Sequence, residues 1–122
     1  MSAKRVLVVD DDPEIRDSVA RILSGAGYTV ELAADGEQAI ALQRACPAEV
    51  LITDVFMPER DGLETIQFFR AAYPDLPIVA MTGGSPTGLT SEYLSVAEVA
   101  GANVTLRKPF PAQSLLESLS RF

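Results

Sequence analysis

The chain has 122 residues, 48% hydrophobic and 22% charged, which suits one soluble domain over 1–122 with a sizeable core and no repeat or linker. Its net charge of −7 and lack of histidine argue against a general nucleic-acid surface, exclude imidazole catalysis, and restrict any metal to oxygen-bound Mg²⁺, Mn²⁺ or Ca²⁺. No apolar run approaches the roughly 20 residues that span a bilayer, and 6–9 is too short for a signal peptide, so cytoplasm is the expected compartment.

Residues 5–9 read as a first buried strand, ending in Asp10-Asp11-Asp12. Asp12 is placed to cap a helix that takes Pro13 in its first turn, carries Ile15, Val19, Ile22 and Leu23 at helical spacing, and stops at Gly25 or Gly27. Residues 28–32 read as a second strand, Asp35-Gly36 as a turn, and 37–46 as a helix with Ala39, Ile40 and Leu42 inward. The lone Cys46 cannot form an internal disulfide and reads as a small residue near that helix's end.

Residues 50–54 begin as a near-continuous apolar run between Pro47 and Pro58, as expected of a strand buried on both faces, and Asp54 ends it. Met57-Pro58 turns the chain and Asp61-Gly62 closes the turn. Leu63, Ile66 and Phe69 then mark a third helix, with Phe68 at the edge of its apolar face, ending near Tyr73-Pro74. Residues 77–81 form a fourth strand finishing at Thr82-Gly83-Gly84. Residues 83–90, rich in Gly, Ser, Thr and Pro, are a loop, and 91–100 can be a helix capped by Thr90 or Ser91. Residues 103–106 are a fifth strand, followed by Arg107-Lys108-Pro109-Phe110, and 111–119 a last helix with Leu115, Leu116 and Leu119 inward. Five strands alternating with five helices predict an α/β parallel sheet with helices on both faces and right-handed crossovers.

In such a sheet all strand C-terminal ends share one edge, where open α/β folds place their chemistry. Four ends carry polar groups there: Asp10 and Asp11, Asp54, Thr82 and Lys108. Taken singly, each has an ordinary reading as a turn, a cap, a loop hydroxyl or a solvated lysine. Together they suit one reaction. Crowded carboxylates repel until a cation neutralises them, and Mg²⁺ does so while keeping positions open for water and phosphate oxygens. Lys108 can pair with a carboxylate or a phosphoryl oxygen, and Thr82 can donate a hydroxyl hydrogen to the same oxygen. The function that uses all of them is attack by one carboxylate on a phosphoryl group.

With these residues in view, the chain resembles a response-regulator receiver domain across its whole length. The matching motifs are Val8-Val9-Asp10-Asp11-Asp12, Thr53-Asp54-Val55-Phe56-Met57-Pro58 with Asp61-Gly62, Met81-Thr82-Gly83, and Lys108-Pro109-Phe110. The resemblance implies a doubly wound, flavodoxin-like (βα)5 fold with strand order 2-1-3-4-5. It implies a phosphorelay switch in which Asp54 accepts phosphate from a sensor histidine kinase or a histidine phosphotransfer protein. Asp11, Asp54 and the Phe56 backbone carbonyl would hold Mg²⁺ with help from Asp10, while Thr82 and Lys108 would bind the phosphoryl oxygens. Direct nucleic-acid or membrane contact by the domain is not expected. A homodimer is open to it, and the downstream target is unnamed.

Two departures from the family pattern bear on output. Three residues before Lys108, where many receivers carry Tyr or Phe, stands Thr105, and the stretch between Thr82 and Lys108 is a few residues longer than usual. Switching is therefore expected to run through 83–90 into 91–100, where Tyr93 and Leu94 can repack. Phe56 and Gly84 lack polar side chains, so little side-chain help in acyl-phosphate hydrolysis is expected. Three other classes compete. A small Asp-dependent phosphatase would use Asp10 and Asp12 but leaves Asp54 and Met57-Pro58 unexplained. A flavin or nucleotide binder would need a Gly-rich phosphate loop after the first strand, where three aspartates stand instead. A degenerate receiver acting only as a protein-binding module is opposed by the intact acidic set.

Overall fold

The computed structural model describes residues 4–55, 62–82 and 101–122. Within them run β1 (Arg5–Val9), α1 (Pro13–Gly25), β2 (Thr29–Ala33), α2 (Gly36–Ala45), β3 (Val50–Asp54), α3 (Gly62–Ala72), β4 (Ile78–Thr82), β5 (Val104–Arg107) and, last, α4 (Ala112–Leu119). The five strands form one parallel sheet in the order β2-β1-β3-β4-β5, the doubly wound order expected. The helix expected over 91–100, the loop at 83–90 and the turn around Met57-Pro58 lie outside the described residues, as does Phe56.

The apolar strands are explained by two cores, one on each face of the sheet. Along β1, Val6 and Val8 face one way and Leu7 and Val9 the other. The first pair packs with Val19 and Leu23 of α1 and Leu115 and Leu119 of α4. The second pair packs with Ala39 of α2 and Ile66 and Phe69 of α3. Every residue of β3 and β4 is buried, so neither strand can show polar alternation, and a continuous apolar run is what burial on both faces demands. Each fully buried Leu, Ile or Phe contributes about 1.5–3 kcal/mol of burial free energy. The helices supply the complementary stripes.

Local signals set the ends. Asp12 Oδ1 accepts from Glu14 N at 2.9 Å and Pro13 occupies the first helical turn, as the sequence implies. Asp35, expected in a turn, is the N-cap of α2 and accepts from Gln38 N at 2.8 Å. β2 starts at Thr29 because the Tyr28 N–H still donates to Leu23 O in the close of α1. β4 starts one residue later than expected, since Pro77 has no N–H to give, although its carbonyl accepts from Leu51 N at 3.0 Å. Both β4 and β5 also run one residue further, to Thr82 and Arg107.

Among the buried polar side chains not anticipated, Gln43 has a clear structural task. Gln43, only 2% exposed, faces inward from α2. Its Oε1 accepts from Ala48 N at 2.8 Å and its Nε2 donates to Ala48 O at 3.3 Å, which ties down the connection into β3.

Candidate functional site

Register carries the polar strand ends to one edge. Val9 is level with Ala33 and Thr53, Asp54 with Met81, and Thr82 with Arg107. Asp10 therefore follows β1 at the height where Asp54 ends β3 and Thr82 ends β4, with Lys108 following β5.

Asp10 is buried completely. A carboxylate there must be paired, and it is. Its Oδ2 accepts from Lys108 Nζ at 2.6 Å and its Oδ1 from Asp12 N at 2.9 Å. Its backbone is fixed as well: Asp10 N donates to Ala33 O at 3.1 Å, and Arg16 Nη1 of α1 donates to Asp10 O at 2.7 Å. Lys108 also stands 3.5 Å from Asp54 Oδ2, so one ammonium serves two carboxylates. The Lys108 N–H donates to Thr82 O at 2.7 Å, which joins the last two site residues through the backbone.

Asp10, Asp11 and Asp54 each present a carboxylate oxygen, and these oxygens lie within 4.8 Å of one another. Asp54 is 5% exposed, whereas Asp11 is exposed at the lip. The Asp11 carboxyl is held above its ordinary value of 3.8, first by desolvation and second by the Asp10 charge, against its own backbone hydrogen bond and Lys108, which lower it. Three carboxylates and one ammonium leave two negative charges, on hard oxygen donors that converge without any soft ligand. The donor set fits a divalent oxygen-seeking cation such as Mg²⁺.

Of the residues expected at the site, Asp10, Asp11, Asp54 and Lys108 converge through their side chains, and Thr82 stands at the end of β4 with its carbonyl on the Lys108 N–H. The remaining expected ligand, the Phe56 carbonyl, lies outside the described residues. Asp12 is not part of the cluster, because its carboxylate caps α1. Asp12, the second acid of the phosphatase alternative, is thus engaged as the N-cap of α1. Arg16 was missed: it reads as an exposed helical arginine, and nothing in its spacing reports the carbonyl it holds. No helix among the described residues is long and apolar enough to cross a membrane.

The family model for the response regulator receiver domain matches residues 6–120. Response regulator MprA of Mycobacterium ulcerans (strain Agy99) is 43% identical over 112 residues, covering 92% of this chain and 47% of that protein. The MprA of Mycobacterium tuberculosis (strain ATCC 25177 / H37Ra) is 42% identical over the same shares. The chain thus spans about half the length of the curated relatives it matches. Among solved structures, chemotaxis protein CheY4 of Vibrio cholerae superposes with a TM-score of 0.87 at 36% identity, covering 98% of both chains. A CheY-like receiver domain protein of Methanospirillum hungatei JF-1 gives 0.88 at 30% identity, covering 98% of this chain and 93% of that one.

Proposed function

The chain belongs to the response regulator receiver domain family of two-component signalling, and from that premise we propose that it is a phosphoryl-accepting switch with Asp54 as the acceptor. The observation that carries the reading is the Lys108 ammonium shared between Asp10 and Asp54 inside a cluster of three converging carboxylates. Response regulators partner with histidine kinases, and we take the donor to be a phosphohistidine on such a kinase or on a phosphotransfer protein. An Asp54 carboxylate oxygen forms the new bond to phosphorus while the phosphorus–nitrogen bond breaks, and the electron pair leaves with the imidazole.

Asp54 is nearly buried, so few waters compete for the phosphoryl group. Lys108 is positioned to move its charge from the carboxylate of Asp54 to the incoming phosphoryl oxygens while keeping Asp10 neutralised. Thr82, at the end of the neighbouring strand, offers a hydroxyl to the same oxygens. Asp10, Asp11 and Asp54 would hold Mg²⁺, which when bound supplies positive charge to phosphoryl oxygens. We read residues 1–122 as one receiver domain. It promotes its own phosphorylation and slow dephosphorylation and does not turn over a separate substrate.

The test is intact-mass analysis after exposure to a small phosphodonor with Mg²⁺. The wild-type chain should gain one phosphoryl group and Asp54→Asn none. Equal labelling of the two would sink the assignment.

A further inference from the structure

Arg70, in the last turn of α3, reaches across to the entry of β5. Its Nε and Nη2 both donate to the Gly101 carbonyl, at 3.1 and 2.8 Å. Nη2 also donates to Asn103 Oδ1 at 2.7 Å, and Nη1 donates to Pro74 O at 2.7 Å. Asn103 continues the chain of contacts. Its Oδ1 accepts from Ile78 N at 2.9 Å and its N–H donates to Ile78 O at 2.8 Å. One guanidinium therefore joins the end of α3, the turn into β4 and the start of β5. Gly101 makes room for it. At φ +130° a side chain is strained, and a Cβ there would sit 2.9 Å from Arg70 Cγ and 3.0 Å from Arg70 Cβ.

Such a fastening matters because β5 is poorly specified by burial. β3 and β4 are buried at every position, whereas β5 is partly buried at three positions and exposed at the fourth. Register is strongly set where a face is buried and weakly elsewhere, and a slip of one residue turns every side chain to the opposite face. Lys108 follows β5 directly, so a slip would carry its ammonium away from Asp10 and Asp54. We infer that the Arg70 fork on Gly101 and Asn103 sets the register of β5 on β4, which makes Arg70 and Asn103 positioning residues for Lys108 at the opposite end of the strand. The inference rests on the phosphoryl-acceptor reading only where phosphorylation serves as a readout.

The whole chain is compared with Arg70→Ala, Arg70→Lys, Asn103→Ala and Asn103→Asp. In Arg70→Ala and Asn103→Ala, the Lys108 amide should exchange its hydrogen about tenfold faster or more, as its bond to Thr82 O opens more often. Labelling of Asp54 by a small phosphodonor should slow by about tenfold, while Mg²⁺ affinity should not fall, since the acids after β1 and on β3 stay in place and a departing ammonium only leaves them more negative. Asn103→Asp keeps both acceptor contacts and should retain wild-type behaviour. Arg70→Lys, a point charge in place of a fork, should not rescue. Unchanged Lys108 exchange in the alanine variants overturns the inference. A fall in Mg²⁺ affinity that matches the loss of labelling also overturns it, since that marks a general loosening. If Arg70→Ala does not fold, Asn103→Ala, at an exposed position, carries the same test. Absence of labelling in the wild-type chain would refute the Asp54 reading, and the amide exchange would still decide the role of the clasp.

Discussion

The Lys108 ammonium meets the carboxylate of Asp10 at 2.6 Å, and Asp10 has no solvent exposure at all. This ion pair is built from a strand-end acid on β1 and a lysine on the far side of the sheet, brought together by two intervening strands.

Removing Lys108 should therefore cost stability as well as function. Lys108→Ala leaves the buried Asp10 carboxylate without its ammonium, hydrogen-bonded to the Asp12 N–H and beside two further acids. Breaking a buried pair from one side costs about 3 kcal/mol. Urea denaturation without metal should show a loss of that order, and saturating Mg²⁺ should recover part of it. A variant as stable as wild type in chelator would contradict the argument.

Asp11 gives the opposite sign. Its folded carboxyl is raised above 3.8 by desolvation and by Asp10, so the folded chain holds this proton more tightly than the unfolded chain. The stabilisation is fully present below the unfolded value and is lost as pH rises through the raised folded value, so near neutrality the ionised Asp11 opposes folding. In chelator at pH 7, Asp11→Asn should melt higher than wild type. The gap should narrow as pH falls toward the carboxylate range. The same variant should bind Mg²⁺ more weakly. A lower metal-free melting temperature at pH 7 would refute this.

Asp12 separates capping from chemistry. Asp12→Ala should cost about 1 kcal/mol through loss of the α1 cap and leave phosphoryl labelling nearly intact. Denaturant melts paired with intact-mass labelling check both halves. Loss of labelling without loss of stability would return Asp12 to the site and revive the phosphatase reading.

The sheet was legible because burial on both faces leaves a mark in the sequence. The β3 and β4 runs are apolar but for Thr53 and their strand-end polar residues, which stand out against them. Asp10, Asp11, Asp54, Thr82 and Lys108 could thus be named before any distance was known. What escaped was bonding from side chain to backbone. Arg16, Gln43 and Arg70 all act on carbonyl groups, and a carbonyl has no residue identity to pattern against. Strand ends shifted by a residue for the same reason, since they depend on which backbone groups find partners.

Gln43 has a consequence for how the surface can be attacked. Cys46, Pro47 and Glu49 are exposed, and by composition residues 46–49 are a loop. Yet Cys46 N donates to Leu42 O, Ala48 N to Gln43 Oε1 and Glu49 N to Arg5 O, while Pro47 has no N–H to offer. Every backbone donor of this connection is thereby engaged. A protease needs a segment it can draw out into an extended strand, and here that requires releasing α2, β1 and a buried amide together. The connection is solvent-facing in area but behaves toward cleavage as part of the sheet it feeds.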